Sequence, residues 1–312
     1  MKIVKAGILS TIQDAGRYGH RAAGIGRGGV MDAFAHAALN RLLGNEAHEA
    51  VIEMHFPAAE IFFEEEAVFA LTGGDFEGKL NDAPVQCWKT YLARPGDVLR
   101  FAALRKGYRV YFSIKGGFVA EAWLGSCSTH LSVHRGGHRG RALQKEDILL
   151  PKHREAYLHH RETNIPDALI GEVYGGHVIH CVAGPEFEEL NDSSKKQLMS
   201  DRFIIGVHAD RMGYRLRPTS LSLKTKTGTM LSSAVCSGTI QLMPDGGLVI
   251  LMADCQTTGG YPRVLAAISA DQPKLAQLRP GDPINFRLLT ISEAEDRHVS
   301  LQAKLYEKST DG

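Results

Sequence analysis

No stretch of this 312-residue chain holds the ~20 consecutive apolar residues that a membrane-crossing helix needs. The opening MKIVKAGILSTIQDAG has neither the apolar core nor the cleavage site of a secretory signal. The expectation is a cytoplasmic protein with no membrane partner. An excess of one charge is missing too. Lys+Arg 36 against Asp+Glu 35 leave a formal net charge of +1, which removes any whole-chain attraction for nucleic acid. Cysteine is sparse: five residues, Cys87, Cys127, Cys181, Cys236 and Cys255, without a C-x-x-C pair, exclude a disulfide framework and fit a reducing compartment. No G-x-x-x-x-G-K-[ST] occurs, which excludes a P-loop. The 14 histidines cluster as HRGGH at 134–138, HH at 159–160 and HVIH at 177–180, but none shows H-E-x-x-H or mixed Cys/His spacing, so no metal site is expected.

What the chain does hold is β-forming sequence. Short runs rich in Val, Ile, Phe and Tyr recur as AEIFF, AVFALTG, YRVYFSI, HVIHCV, FIIGVH, GLVILM and INFRLL, each bounded by Gly, Pro, Asp or Asn. Helical periodicity is confined to 31–43, 186–200 and 271–278. The first has Met31, Phe34, Ala35, Ala38, Leu39 and Leu42 on one face and Gly44-Asn45 as its stop. Many short strands with little helix predict an all-β protein of barrels or sandwiches. RPGDVLRF at 94–101 echoes RPGDPINF at 279–286, and GRYGHR at 16–21 echoes DRMGYR at 210–215, in the same order. The echoes predict two related halves, 1–160 and 161–312, with the seam in the polar stretch 152–168. The alternative is that Pro-Gly-Asp makes a tight turn wherever it occurs.

Gly24, Gly26 and Gly29 spell G-x-G-x-x-G, the dinucleotide-binding spacing. The helix after them is in place, but QDAGRYGHRAA separates the candidate strand at 3–9 from the first glycine. A pyrophosphate turn needs the strand to run directly into it, so this is no nucleotide fingerprint.

Longer blocks carry more information. TIQDAGRYGHRAAGI, GGVMD and LNRLLGN in the first half, LTGGDF and LGSCST after them, then SDRFIIGVHADRMGYRL, SGTIQLMPDGG, DCQTTGGYPRV and ISADQPKLAQLRPGD, resemble one family in its order across nearly the whole chain. It is the allophanate hydrolase subunit 2 family, also called the 5-oxoprolinase C-subunit family, with Kip-antagonist-like proteins and the carboxyltransferase A part of urea carboxylase. The resemblance implies two cyclophilin-like β-barrel halves in pseudo-repeat. In the family the glycine stretch reads closer to G-V-P-P-S-G-A-M-D, so Gly26 and Gly28 stand where proline and serine are common.

The functional expectation follows from that resemblance. It implies the C subunit of an ATP-dependent 5-oxoprolinase, an amide hydrolase that opens 5-oxoproline to L-glutamate and works with partners like the B and A subunits of that enzyme. ATP with Mg would serve the complex, without necessarily touching this chain. The alternatives are a non-enzymatic regulator of the Kip-antagonist type, binding a kinase inhibitor similar to the B subunit, and a biotin-dependent carboxyltransferase component acting on urea or another amide. The self-association state stays open, a homo-oligomer included.

All these chemistries act on a poorly reactive amide or ureido group and need N–H or cationic donors plus a carboxylate. The matched positions for catalysis are Asp14, Arg17, Asp32 and Arg211. Those for substrate or phosphate binding are Gln13, Gly28, Gly29, Tyr214, Thr239, Gln241, Gln256, Thr257, Thr258 and Tyr261. Each has a structural alternative: Arg17 as a loop clamp, Asp32 as a helix cap, the Thr-Thr-Gly-Gly segment as a hairpin turn. Cys127 and Cys255 stand where the family often has arginine, and Ser233-Ala234 where Glu-Gly is frequent. Cys255 reads more readily as a small buried hydrophobe than as a nucleophile. The loop with His134, Arg135, His138, Arg139 and Arg141 is basic, suited to solvent or to an acidic partner.

Overall fold

A computed structural model describes residues 1–153, 163–217, 220–225 and 230–306. The chain divides into two compact units, residues 1–18 with 28–167, and residues 19–27 with 168–312. The expected seam at 160 and the pair His159 and His160 lie outside the described residues.

The first unit contains β1 (Lys2–Lys5), β2 (Ser10–Gln13), α1 (Ala33–Leu43), β3 (Val51–Met54), β4 (Glu60–Phe62), β5 (Ala67–Asp75), β6 (Gly78–Leu80), β7 (Ala83–Val85), β8 (Thr90–Ala93), β9 (Val98–Phe101) and β10 (Lys106–Ile114). They form two five-stranded sheets, β1-β4-β9-β6-β7 and β2-β3-β10-β5-β8. Period-2 alternation sends Ile12, Ile52, Met54, Phe69, Leu71, Val110 and Phe112 of the second sheet into one core with Ile3, Ile61 and Leu99 of the first. Phe63, Phe69 and Phe112 pack there as an aromatic cluster, with ring centroids 5.3 Å apart for Phe63–Phe69 and 5.8 Å for Phe69–Phe112. Helix α1 packs on β5 and β10 of the second sheet and buries the expected stripe of Phe34, Ala35, Ala38, Leu39 and Leu42. It ends at Gly44, whose φ of 64° is the left-handed cap that glycine adopts without strain.

The second unit contains α2 (Asp167–Tyr174), β11 (Val178–Ala183), α3 (Asp192–Ser200), β12 (Phe203–Ala209), β13 (Gly213–Arg217), β14 (Ser233–Ala234), β15 (Thr239–Leu242), β16 (Leu248–Leu251), β17 (Thr258–Gly259), β18 (Arg263–Ala267), α4 (Gln272–Ala276), β19 (Pro283–Leu288) and α5 (Ile291–Tyr306). Seven strands close a barrel in the order β11-β18-β15-β16-β13-β12-β19. Every pair is antiparallel except β11 with β19, which run parallel and complete the ring. Ile179, Phe203, Ile205, Ile240, Ile250, Leu265 and Ile284 are buried in it. No described helix is long and apolar enough to cross a membrane.

The mostly-β expectation holds, and so does the repeated turn. In both copies the Arg N–H donates to the Asp carboxylate at 2.8 Å and the Asp N–H returns to the Arg carbonyl at 3.0 Å. Each turn also docks on one strand-edge residue by two backbone bonds. Gly96 donates to the Phe63 carbonyl and Phe63 to the Asp97 carbonyl; Gly281 and Ile205, with Asp282, repeat the pattern. Pro-Gly-Asp therefore makes the same structural joint in both units.

Candidate functional site

In the first unit the motif residues converge on the loop that leaves β2. The Asp14 carboxylate accepts hydrogen bonds from the Gly16 N–H at 2.8 Å, the Ser126 and Ser128 hydroxyls at 2.6 Å each, and the Cys127 N–H at 2.6 Å. Burial pushes the Asp14 carboxyl up, but these four donors outweigh it and hold the group below its ordinary value. Asp14 is thus an ionised clamp joining QDAGR to LGSCST. Arg17 Nη2 donates to the Ser128 carbonyl, and its guanidinium lies over the Trp123 ring, 4.9 Å from the centroid. Gln13 donates from Nε2 to Thr11 Oγ1 at 3.1 Å and to the Thr129 carbonyl at 3.4 Å, while its buried Oε1 has no hydrogen-bond partner among the described residues.

The glycine loop lies against this segment. Val30 N–H donates to the Asp14 carbonyl at 2.9 Å. Gly29 has φ of 88°, and a Cβ there would sit 2.9 Å from the Gly16 nitrogen, so the close approach admits glycine alone. Asp32 caps α1 by accepting the Ala35 N–H at 2.9 Å. Gly28 adopts φ of 61°. Gln13, Asp14, Arg17, Gly28, Gly29 and Asp32 therefore belong to one assembly. Asp14, Arg17 and Asp32 are buried, Arg17 to 1 % exposure.

The motif residues of the second unit lie on its barrel strands and on the segments that carry β14 and β17. Arg211 makes a two-pronged ion pair with Asp254, Nε and Nη2 at 2.7 and 2.8 Å. Gln241 Nε2 donates to the Tyr261 carbonyl at 3.2 Å, and a Cβ on Gly259 would lie 2.7 Å from that same nitrogen. Thr239 Oγ1 accepts the Cys236 N–H at 3.1 Å. Tyr214 is buried inside the barrel. Gln256, Thr258 and Tyr261 face solvent, and Thr257 is half-buried. Residues 19–27 complete this unit: Arg21 Nη2 donates to the Val235 carbonyl, and Gly26 lies against the Cys255 carbonyl, 3.2 Å from where a Cβ would stand. Cys255 is buried, and burial pushes its thiol up to about 11. That fits the hydrophobe rather than the nucleophile.

Reading by motif missed a buried polar row under α1. Thr11, Glu53, Tyr111 and Thr72 stand in register across β2, β3, β10 and β5, on the face turned away from the apolar core. Glu53 Oε2 accepts the Met31 N–H at 2.7 Å and the Tyr111 hydroxyl at 2.9 Å, and the Tyr111 hydroxyl accepts the Asp32 N–H at 3.0 Å. Thr72 Oγ1 donates to the Ala35 carbonyl at 2.8 Å. Arg109 Nε lies 3.9 Å from Glu53 Oε1. Burial first, then the charges of Glu53 and Asp32, push the Tyr111 hydroxyl well above its ordinary range. A signal was present: one acid inside the apolar strand VIEM, and Arg109 and Tyr111 alternating in YRVYFS.

The chain as a whole is similar to known proteins. The family described as carboxyltransferase domain, subdomain A and B, matches residues 23–288. The chain is 36% identical over 285 residues to the 5-oxoprolinase C subunit of Haemophilus influenzae, covering 91% of this chain and 90% of that protein. It is 33% identical over 294 residues to the 5-oxoprolinase C subunit of Escherichia coli, covering 94% and 93%. The crystal structure of the K. lactis urea amidolyase superposes with a TM-score of 0.90 at 25% identity, covering 99% of this chain and 20% of that one.

Proposed function

Because the chain belongs to the carboxyltransferase domain family, subdomain A and B, we propose that it acts as the C subunit of an ATP-dependent 5-oxoprolinase. The observation that carries this reading is the match to two 5-oxoprolinase C subunits over at least nine-tenths of both partners' lengths. The urea amidolyase likeness, by contrast, spans a fifth of that larger chain. The reaction opens the lactam of 5-oxoproline to L-glutamate at the expense of ATP, in the cytoplasm and together with proteins like the B and A subunits of that enzyme.

In this reading each unit, taken by itself, offers a set of charged and N–H groups suited to an unreactive amide. Addition of water to the lactam carbonyl carbon gathers negative charge on its oxygen, which needs preorganised donors; collapse of that adduct breaks the C–N bond as the nitrogen takes a proton and leaves as the amine of glutamate. In the second unit the exposed Gln256, Thr258 and Tyr261, with the half-buried Thr257, supply contacts, braced by Gln241 and by the Arg211–Asp254 pair. In the first unit Arg17 is a buried positive charge on the loop that leaves β2, Asp14 fixes that loop and Asp32 the start of α1, and Gln13 Oε1 is a buried acceptor without a partner among the described residues. No three His, Cys, Asp or Glu side chains converge as a metal site among the described residues. ATP and its Mg are assigned to the complex, without necessarily touching this chain.

The test is phosphate release from ATP, with and without 5-oxoproline, by this chain alone and mixed with the two partner proteins. Release should require all three chains and 5-oxoproline. Arg17→Ala should then lower turnover at least tenfold. A complex that assembles without 5-oxoproline-dependent release would overturn the enzyme reading. It would favour the regulatory one, to which Cys127 and Cys255 at positions often held by arginine lean.

A further inference from the structure

We propose that Glu53 and Tyr111 are positioning residues that set the conformation of the glycine loop 28–32 from beneath, and through it the candidate site of the first unit. Neither belongs to the motif blocks. What they hold are two consecutive backbone N–H groups, those of Met31 and Asp32, at the junction of the loop and α1. One oxygen, Glu53 Oε2, receives both the Met31 N–H and the Tyr111 hydroxyl, so displacing Glu53 frees Met31 and takes away the acceptor that orients the Tyr111 hydroxyl toward Asp32, whereas loss of that hydroxyl frees Asp32 alone.

The chemistry of the row argues for geometry over stability. This face of the sheet lies under a helix, and an apolar row of similar volume is the ordinary way to fill such a layer. A buried carboxylate with its partners is often no more stabilising than well-packed hydrophobes, whereas it fixes one arrangement of donors and acceptors. Three register pairs align the row, Thr11 beside Glu53, Glu53 beside Tyr111 and Tyr111 beside Thr72, and two hydrogen bonds tie it, the Tyr111 hydroxyl to Glu53 and Thr72 to the Ala35 carbonyl in the first turn of α1. All four side chains are at most 2 % exposed. From above, Asp14 takes the Val30 N–H through its carbonyl. Three successive amides, Val30, Met31 and Asp32, are therefore fixed by three different segments: the loop after β2, β3 and β10. Gly28 and Gly29 lead into that fixed point.

The inference rests on the functional reading for its consequence and stands apart from it in its geometry, so two readouts separate them. The first is amide exchange in the full-length chain. Tyr111→Phe, which keeps the ring and removes the hydroxyl, should speed exchange of Asp32 at least tenfold while α1 beyond Asn40 and the second unit are unchanged. Glu53→Leu should release both Met31 and Asp32, and Glu53→Gln, whose amide oxygen still accepts, should restore most of the Met31 protection. The second is turnover by the three-chain complex. Tyr111→Phe should lower kcat about tenfold with KM for 5-oxoproline within about threefold, because a displaced loop misplaces groups needed in the transition state. Unchanged Asp32 exchange in Tyr111→Phe overturns the proposal, whatever the activity. Faster exchange with unchanged kcat in an active complex also overturns it, since the row would then serve the fold alone. If the wild-type complex shows no 5-oxoproline-dependent turnover, the functional reading fails, and the exchange pattern with its Glu53→Gln rescue still decides the positioning claim.

Discussion

Asp14 shows how one side chain can be chemically suggestive and structurally committed at once. Its carboxylate is saturated by two backbone N–H groups and two serine hydroxyls, a set that stabilises the ionised form only. Its folded value lies below the ordinary 3.8, so its contribution to stability is fully present above 3.8 and is lost as pH falls through the depressed folded value. Asp14→Asn, whose amide cannot accept all four donors, should destabilise the chain by about 1.5–3 kcal/mol at pH 7. Urea unfolding checks this: the gap between wild type and variant should narrow below pH 3.8, and an equal gap at pH 7 and pH 3 would show that the charge is not what the donors hold. The Asp14 position was legible in the motif. Three of its four partners were not, because Ser126, Cys127 and Ser128 are more than a hundred residues away along the chain.

Among the elements, the two Pro-Gly-Asp turns form a matched pair. Gly96 and Gly281 adopt φ of 96° and 94°, and a Cβ on either would meet nothing within 4 Å. Gly96→Ala and Gly281→Ala should therefore each cost only the backbone strain of a positive φ, about 1–2 kcal/mol, and nearly the same amount. Unequal losses in thermal unfolding would mean that the two turns are not equivalent joints. Gly29→Ala should cost more than either, since the same strain is joined by a contact with the Gly16 backbone. Helix α1 was readable because its apolar stripe and its Asp32 and Gly44 caps are all local. Helix α5 was not: of its 16 residues only Leu301 and Leu305 are buried, too few for a stripe to show.

Across the whole molecule, the five thiols report how the units are packed. Cys236 is exposed, Cys87 and Cys127 are half-buried, and Cys181 and Cys255 are buried. Burial also pushes the Cys87 thiol up to about 12 and that of Cys255 to about 11, which starves both of thiolate. Alkylation at about pH 8 followed by peptide mapping should label Cys236 first and Cys181 and Cys255 last. Labelling of Cys255 as fast as Cys236 would contradict the packing of residues 19–27 in the second unit, where Gly26 covers its carbonyl.

The sequence by itself determined the strand-rich character, the repeated turn, the capped helix and the family, because these depend on neighbours within a few residues or on long composite motifs. Only the tertiary structure decided that residues 19–27 belong with the second unit, that Asp14 closes on residues 126–128, and that Thr11, Glu53, Tyr111 and Thr72 form one row. The physical reason is register. A period-2 strand pattern tells which residues share a face, while strand order and the pairing of one strand with the next decide which of those residues meet.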